Sequence, residues 1–282
     1  MITVIITCYN EGIELRRAVD SIRKQTYIDY EIIVVKDFSD HADTLRVCQE
    51  LEQEGIKVLY PNTNVGLSGA RNLGVRFAQG AYVQFLDADD ELRSDALVNL
   101  YNASMRYPKA VAICGDYILD NSIKSTRISA GWNVCKLIRE QELFAWGKMI
   151  GALCYKRDEL LNIGGYSNLY TNGCQDLELH IRFFRSGKYY VYVPNVLYVW
   201  HKKNTGMNST AHNAESFDRC MYEHRDFVAP YIGHRYLLGL CKQNNDADNY
   251  RKYFAQYAPC WCRWARILPF RLMTKFGRFV KS

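Results

Sequence analysis

The stretch AYVQFLDADD, residues 81–90, is an apolar run that ends in carboxylates. Residues 81–86 are typical of a buried strand, and Asp87, Asp89 and Asp90 follow directly at its carboxyl end. Carboxylates two positions apart in extended backbone project to the same side, so Asp87 and Asp89 can share a hard cation such as Mg²⁺ or Mn²⁺. A solvated turn that caps the next helix explains the same residues, and this stretch alone does not decide between the two.

Similar apolar runs alternate with helix-period segments over the first part of the chain. Strands are indicated at 2–7, 31–35, 56–60 and 81–86, and helices at 15–22, 45–51 and 70–77. This alternation predicts an α/β fold with parallel strands and helical crossovers. In such sheets ligands bind beyond the carboxyl ends of the strands. We therefore expect three polar clusters to meet in one crevice: Thr7 to Asn10, Asp37 to Asp40 and Asp87 to Asp90.

The length and composition fit one large domain with an appendage. The chain has 282 residues, of which 48% are hydrophobic, enough for a substantial buried core. Strand signals fade after about residue 215, where helix-like, aromatic-rich sequence continues to the end. We place the domain boundary after residue 214 and expect a helical, basic extension over 215–282.

Four further motifs accompany the carboxylates in a fixed order. They are Thr7-Cys8-Tyr9-Asn10, Val35-Lys36-Asp37-Phe38-Ser39-Asp40, Asn64-Val65-Gly66-Leu67-Ser68-Gly69-Ala70-Arg71-Asn72, and Gly164-Gly165-Tyr166 with the later Gln175-Asp176-Leu177-Glu178-Leu179. Over roughly residues 1–210 this order resembles the family 2 glycosyltransferases of the GT-A fold. The resemblance implies a mixed, mostly parallel sheet flanked by helices, with a nucleotide-binding half at 1–110 and an acceptor-side half at 111–214.

The resemblance also implies an enzyme and a reaction. The expected activity is metal-dependent, inverting transfer of a single sugar from a nucleotide sugar, expected to be a UDP-sugar, to a hydroxyl of a glycan or lipid-linked glycan. Residues that match the donor-binding positions of the family are Thr7, Tyr9, Asn10, Asp37, Gly66, Arg71 and Asp87.

The same resemblance assigns the metal and the base. Asp89 matches the metal ligand, with Asp87 acting through a metal-bound water, and His201 after the run Val199-Trp200 matches a residue that completes coordination of Mn²⁺ or Mg²⁺. Asp176 matches the general base. From the residues alone, Asp176 is equally a capping acid at a helix start, and His201 a hydrogen-bonded residue at a strand end.

Three positions depart from the family's motifs. Lys36 stands at the usual first acid of the second motif, Phe38 at its usual glycine, and Gln175 at the usual glutamate before Asp176. We interpret Lys36 as an ordinary exposed lysine. These departures leave open a second function, a catalytically inactive nucleotide-sugar-binding or scaffold protein of the same fold. The intact carboxylates Asp37 and Asp176 favour the enzyme.

Two related enzyme classes fit the sequence less well. Sugar-phosphate nucleotidyltransferases normally carry a glycine-rich, basic loop after the first strand, whereas this chain has Thr7-Cys8-Tyr9-Asn10-Glu11. Processive polysaccharide synthases carry a Q-x-x-R-W element, which does not occur in this sequence. Transfer of one sugar per encounter is therefore the expectation.

The carboxyl-terminal segment 258–282 is strongly basic. It holds six of the 36 basic residues and no acid, and this leaves 30 basic and 30 acidic residues in the rest. On a helical wheel Arg271, Lys275 and Arg278 share one face, opposite an apolar face with Phe276 and Phe279. An interfacial helix on an anionic membrane and a terminal helix packed on the protein both explain this pattern. We expect no nucleic-acid partner, because the neutral body offers no matching basic patch.

The start of the chain and the cysteines indicate a compartment. Met1 leads directly into the short apolar run Ile2 to Ile6, without the charged segment of a signal peptide. The ten cysteines are scattered and form no CxxC pair, so free thiols are expected rather than disulfides. We expect a cytoplasmic protein, with peripheral binding to the inner face of the plasma membrane if the basic segment is interfacial.

Overall fold

The structure is a computed structural model, in which residues 1–139, 153–170, 173–203, 212–258 and 270–274 are described. The chain divides into two compact units, Met1–Thr210 and Ala211–Ser282, whereas the sequence placed this boundary after residue 214. The division of the first unit at residue 110 stays a prediction.

The strands of the first unit form one sheet. Their bounds are β1 Ile2–Cys8, β2 Tyr30–Lys36, β3 Lys57–Leu59, β4 Tyr82–Asp87, β5 Glu91–Leu92, β6 Ala112–Asp120, β7 Ser125–Ile128, β8 Lys136–Ile138, β9 Cys154–Lys156 and β10 Tyr190–His201. The helices of this unit are α1 Ile13–Arg23, α2 Ala42–Gln53, α3 Gly66–Phe77, α4 Ala96–Arg106, α5 Arg157–Asn162 and α6 Gln175–Arg185.

The strand order is β3-β2-β1-β4-β9-β6-β10-β5, with β7 paired to β6 and β8 paired to β10. The pairs β2/β3, β1/β2 and β1/β4 are parallel, as the alternation of strands and helices predicted. The short strand β9 pairs antiparallel with both β4 and β6, while β6 and β10 pair parallel. The expected α/β architecture, a mixed sheet flanked by helices, is confirmed.

Helix α1 shows why the parallel half of the sheet is covered. Leu15, Ala18, Val19 and Ile22 recur at intervals of three and four residues, which places them on one helical face. All four are fully buried in a core that also contains Val4 and Ile6 of β1. The apolar spacing of the sequence therefore fixes both the helix and the face that it buries.

The second unit is helical and has a core of its own. The helices are α7 His212–Glu223, α8 Arg225–Val228, α9 His234–Gln243, α10 Ala247–Tyr257 and α11 Phe270–Met273. Leu237, Cys241, Tyr250 and Phe254 pack in this core together with Met273. Most of the basic segment 258–282, including Lys275 and Arg278, lies outside the described residues.

Two further observations concern the described residues. No helix among them is long and apolar enough to cross a bilayer. The eight cysteines in this part of the chain are free thiols, as expected. Cys260 and Cys262 lie outside it.

Candidate functional site

The three polar clusters lie side by side at the carboxyl ends of β1, β2 and β4. Thr7 stands opposite Asp87 in the parallel register of β1 and β4. Beyond the strands, Asp37 donates its backbone N–H to the Cys8 carbonyl (2.8 Å), and Ala88 donates to the Thr7 carbonyl (3.2 Å). The convergence expected from the sequence is confirmed. We call this group of residues, 7–11, 36–40 and 87–90, the strand-end site.

Asp37 is a buried carboxylate of the strand-end site, with 7% of its surface exposed. Its Oδ1 accepts hydrogen bonds from the backbone N–H groups of Phe38 and Val65, each at 2.9 Å. Asp37 thereby joins the loop after β2 to the start of α3. Within the described part of the chain no hydrogen bond is made to its second oxygen, which stays able to accept one.

Gly66 begins α3 in a left-handed conformation, with φ at 66°. This conformation favours glycine, since a side chain at that φ is strained. The Gly66 N–H donates to Oδ1 of Asn64 at 3.0 Å, which fixes the entry into the helix. Its contact with a donor stays a prediction.

The loop after β1 is held by its own side chains. One carboxylate oxygen of Glu11 accepts from the backbone N–H groups of Tyr9 (2.7 Å) and Asn10 (3.1 Å). Asn10 Oδ1 in turn accepts from the Ser39 hydroxyl at 2.6 Å, which ties this loop to the loop after β2. The Tyr9 side chain remains 44% exposed at this position.

Lys36 is not the exposed lysine that the sequence suggested. Only 3% of its surface is exposed, and its ammonium group donates to the Ser39 carbonyl. This correction has a physical reason: Lys36 ends β2 inside the sheet, and its long side chain folds back to hold the turn that follows. Lys36 therefore supports the loop that carries Asp37.

Arg71 lies between the predicted site residues Asp87 and Asp176 and is 2% exposed. Its Nη1 donates to Asp176 Oδ1 (2.9 Å) and its Nη2 to Asp87 Oδ1 (3.0 Å). The rings of Phe85 and Tyr166 lie 5.4 Å and 5.2 Å from the guanidinium carbon. Burial alone would lower the pKa of Arg71, but the charges of Asp176 and Asp87 hold it well above its usual value. Arg71 is thus a charged bridge between two predicted site carboxylates.

The sequence placed Arg71 against the nucleotide. In the structure both terminal nitrogens donate to carboxylates, so its direct contact with a donor stays a prediction. Its position follows from α3, whose buried face contains Ala70, Arg71, Gly74 and Val75. An arginine on a buried helical face needs anionic partners, and here it has two.

Asp176 lies in the first turn of α6, with 27% of its side chain exposed. Arg182 anchors the helix, donating to the Ile163 carbonyl at 2.7 Å and to the Gly165 carbonyl at 2.6 Å. The Arg182 guanidinium also pairs with Glu178 at 2.7 Å. The carboxylate of Asp176 is therefore carried on a helix with fixed attachments.

The segment between α5 and α6 is held against α3 by two reciprocal hydrogen bonds. Asn72 Nδ2 donates to the Tyr166 carbonyl, and the Tyr166 N–H donates to Asn72 Oδ1, both at 2.8 Å. A Cβ on Gly165 would lie 2.3 Å from Asn72 Oδ1, and its φ is 68°. Only glycine fits here, which explains the Gly164-Gly165-Tyr166 motif in structural terms. The pair fixes Arg71, next to Asn72, relative to Asp176.

Asp89 forms an ion pair with a lysine, Lys203, that the sequence had not indicated as a site residue. Its Oδ2 lies 3.1 Å from Lys203 Nζ, and its backbone carbonyl accepts from Arg17 Nη2 at 2.5 Å. Partial burial opposes the charge on Lys203, yet the hydrogen bond to Asp89 and the charges of Asp89 and Glu14 raise the pKa of Lys203. Lys203 follows His201 by two positions, and this proximity was the only sequence signal for it.

Asp90 ties the carboxylate turn to the end of β10. It is 3% exposed and accepts from the Tyr198 hydroxyl (2.7 Å) and the His201 N–H (2.8 Å). The Tyr198 hydroxyl also accepts from the Asp87 N–H at 3.2 Å. Burial, followed by the charge of Asp87, raises the pKa of Asp90 to about 8. Tyr198 was missed in the sequence, because a tyrosine on an apolar strand gives no signal of a polar role.

The His201 ring lies between two carboxylates. Its Nε2 is 2.8 Å from Glu91 Oε1, and its Nδ1 is 3.2 Å from Asp120 Oδ2. Both ring nitrogens are therefore engaged in this arrangement. The role of His201 as a metal ligand stays a prediction.

The residues that could hold a divalent cation are Asp87 and Asp89. The Oδ1 of Asp87 accepts from Arg71 and the Oδ2 of Asp89 pairs with Lys203, so each carboxylate keeps one oxygen without a hydrogen bond to the described residues. Carboxylate oxygens suit Mg²⁺ and Mn²⁺. No group of three or more His, Cys, Asp or Glu side chains in the described ranges is arranged to hold a metal. These two carboxylates thus fit a cation that takes its remaining ligands from a substrate.

Comparisons with known proteins place these motifs in context. The family description "Glycosyl transferase family 2" matches residues 3–153. A GalNAc(5)-diNAcBac-PP-undecaprenol beta-1,3-glucosyltransferase of Campylobacter jejuni is 39% identical over 102 residues, 35% of this chain and 33% of that protein. Alignments with the first curated relatives span 17%, 41% and 16% of those proteins' lengths.

Solved structures are similar in fold. The crystal structure of a Staphylococcus aureus TarS fragment with UDP-GlcNAc superposes with a TM-score of 0.67 at 17% identity, covering 94% of this chain and 78% of that one. The crystal structure of GalNAc-T7 with UDP, GalNAc and Mn²⁺ gives a TM-score of 0.63 at 19% identity, covering 91% and 56%. At these identities the likeness concerns the fold.

Proposed function

The chain belongs to glycosyl transferase family 2, and we propose that it transfers a single sugar from a nucleotide sugar to an acceptor hydroxyl with inversion at the anomeric carbon. The observation that carries the proposal is the Arg71 bridge. One guanidinium fixes Asp87, at the end of β4, relative to Asp176, at the start of α6. The proposed donor-binding carboxylate, Asp87, and the proposed general base, Asp176, are thereby held at a fixed distance from each other.

Asp176 acts as the base in this proposal. Its Oδ1 is held by Arg71 at 2.9 Å, which orients the carboxylate. Its other oxygen accepts the acceptor's hydroxyl proton as the acceptor oxygen attacks the anomeric carbon. The bond from that carbon to the diphosphate oxygen breaks, and the nucleoside diphosphate leaves with the electron pair. A single displacement from the opposite side inverts the configuration.

Asp37 favours uracil as the base of the donor. Its Oδ1 is occupied by two backbone N–H groups, so its second oxygen is the one available to a ligand. A carboxylate can only accept, and uracil presents an N3–H where cytosine presents a bare nitrogen. The loop residues Thr7, Tyr9 and Asn10 are proposed to surround the base and ribose. The donor is therefore proposed to be a UDP-sugar.

Asp87 and Asp89 fit a hard divalent cation through their unoccupied carboxylate oxygens. A Mg²⁺ or Mn²⁺ ion held by Asp89 directly, and by Asp87 through a bound water, would neutralise charge on the leaving diphosphate. The chain's own part is to hold both carboxylates in place, which the ion pairs with Arg71 and Lys203 do. His201 would have to release Glu91 or Asp120 to bind the ion.

A glycan or lipid-linked glycan is the proposed acceptor. The Campylobacter relative's name describes a lipid-linked glycan as its substrate, and this supports the same acceptor class here. Peripheral association with an anionic membrane through residues 258–282, at the cytoplasmic face, would suit such an acceptor.

The test is a panel of UDP-sugars incubated with the purified protein and Mn²⁺. Release of UDP and thermal stabilisation by UDP are measured together, with EDTA as the control. We expect one donor to be turned over, with loss of turnover in EDTA and a product of inverted anomeric configuration by NMR. Tight UDP binding without hydrolysis or transfer of any donor would contradict the proposal and support a scaffold.

A further inference from the structure

We infer that Phe38 provides a second aromatic face for the nucleobase of the donor, beside Tyr9, and so sets the affinity of the strand-end site for the nucleotide. The inference rests on the proposed nucleotide-sugar donor. It adds a residue that the family motifs do not include, because glycine is usual at this position.

Phe38 is exposed where its neighbours are buried. It keeps 59% of its surface accessible, whereas Asp37 is 7% and Lys36 is 3% exposed. Tyr9, on the adjoining loop, is 44% exposed. Two large aromatic side chains are therefore exposed on adjoining loops beside one buried carboxylate, where both are accessible to a ligand that Asp37 binds.

The two aromatic residues lie on loops that are fastened to each other. The Asp37 N–H donates to the Cys8 carbonyl at 2.8 Å, directly before Tyr9. The Ser39 hydroxyl donates to Asn10 Oδ1 at 2.6 Å, directly after Phe38 and Tyr9. Each aromatic residue is thus flanked by hydrogen bonds that join its loop to the other.

The backbone of both residues is also fixed. Asp37 Oδ1 accepts the Phe38 N–H at 2.9 Å, and Glu11 accepts the Tyr9 N–H at 2.7 Å. The Lys36 ammonium holds the carbonyl of Ser39, the residue that follows Phe38. A ligand that binds between them therefore does not have to order these loops, which favours affinity.

The side chains of Tyr9, Asp37 and Phe38 suit a nucleobase and not a diphosphate. A planar base offers two π faces to aromatic rings and an N–H edge to a carboxylate such as Asp37. A phosphate would meet the negative charge of Asp37, and the aromatic rings offer it no donor. Phe38 therefore acts at the nucleobase end of the donor.

The inference is tested by UDP affinity in a series of substitutions at one position. Stacking predicts that Phe38→Trp binds UDP as the native protein does, with emission of the introduced tryptophan quenched by UDP. Phe38→Leu and Phe38→Gly should each bind about tenfold more weakly, since base stacking contributes roughly that factor. Phe77→Leu, which alters a 46% exposed phenylalanine on α3, is the matched control and should bind normally.

The outcomes separate this inference from the proposed function. Dissociation constants measured by calorimetry that are equal for all Phe38 variants would overturn the inference alone. Normal binding by Phe38→Leu with weak binding only by Phe38→Gly would also overturn it, because loop stiffness and not an aromatic face would then matter. If the native protein bound no UDP, the proposed donor would fail, and this inference with it. Melting temperatures of the variants exclude loss of fold.

Discussion

At the scale of single residues, Asp37 shows how one carboxylate can build a loop and recognise a ligand. One oxygen accepts from two backbone N–H groups, at Phe38 and Val65, and this fixes which oxygen remains for the nucleobase of the donor. The geometry leaves no rotation that would exchange the two oxygens without breaking both hydrogen bonds.

Asp37→Asn is predicted to change the base preference. The amide should place its carbonyl oxygen on the two backbone N–H groups, because only an acceptor satisfies them, and so turn its NH₂ group toward the ligand. The variant would then repel the N3–H of uracil and donate to N3 of cytosine. We expect the preference for UDP over CDP, measured by calorimetry, to fall at least about tenfold. Asp43→Asn, at a 72% exposed aspartate in the first turn of α2 outside the strand-end site, should leave the ratio unchanged.

Arg71 is a positioning residue in this account. Its planar fork donates to two carboxylates in different directions, which a single ammonium group cannot reproduce.

Arg71→Lys should therefore lower kcat by about tenfold or more while changing KM less, since the orientation of Asp176 is lost but donor contacts remain. Arg76→Lys, at an exposed arginine of the same helix, is the control and should retain full turnover. Equal kcat values for the Arg71 variant and the native protein would show that the bridge has no positioning role.

The sequence predicted where the site residues meet but not how they are paired. The rule for the carboxyl ends of parallel strands brought Thr7, Asp37 and Asp87 together correctly. The burial of Lys36 and Arg71 was not foreseen, because cations are mostly exposed. The groups that satisfy them, the Ser39 carbonyl for Lys36 and two carboxylates for Arg71, are brought into reach only by the fold. Asp176, the partner of Arg71, is separated from it by 105 positions.

At the scale of elements, the contact between α3 and the turn before α6 decides where Asp176 stands. Asn72 and Tyr166 exchange two hydrogen bonds of 2.8 Å across this contact. Gly165 lies at the point of closest approach, while Gly164 shares its left-handed conformation but has open space around it.

Gly165→Ala is predicted to destabilise the protein more than Gly164→Ala. Both substitutions strain the backbone, at φ of 68° and 88°, which costs roughly 1–2 kcal/mol. Only the Gly165 variant also places a Cβ 2.3 Å from Asn72 Oδ1, so we expect about 2 kcal/mol more from breaking the reciprocal pair. Denaturant unfolding measures both free energies of unfolding. Equal losses would contradict the argument that this contact is tight.

The elements that the sequence predicted are those with strong local signals. Strands β1, β2 and β4 have long apolar runs, and α1 has a regular apolar face. The sequence did not predict the nine-residue β6, nor the strands β5, β8 and β9 of two or three residues. The three short strands form by pairing with partners far along the chain. In α3 the apolar Phe77 is 46% exposed and the charged Arg71 is buried, the reverse of what the polarity of each residue alone predicts.

At the scale of the whole molecule, the charge is concentrated in one segment. Six basic residues and no acid lie in 258–282, and the rest of the chain is neutral. Met273 in this segment is buried in the core of the second unit, so point substitutions test the charge more cleanly than a deletion does.

Replacing Arg271, Lys275 and Arg278 with glutamine should weaken binding to anionic vesicles by about 100-fold, since each basic residue near such a surface contributes about 1 kcal/mol. Sedimentation with phosphatidylserine vesicles measures this. The control variant removes three positive charges elsewhere, by replacing the exposed residues Lys24, Lys109 and Lys124 with glutamine. If both triple variants bind alike, the segment is not a membrane anchor.

The central claim is that one carboxylate, Asp176, accepts the proton while the strand-end site binds the nucleotide. The most direct measurement is kcat and the UDP dissociation constant of Asp176→Asn, beside Asp158→Asn, a 78% exposed aspartate in the first turn of α5. We predict that Asp176→Asn loses about 10²- to 10⁴-fold in kcat and binds UDP as the native protein does, with Asp158→Asn normal in both. Native turnover by Asp176→Asn would contradict the account.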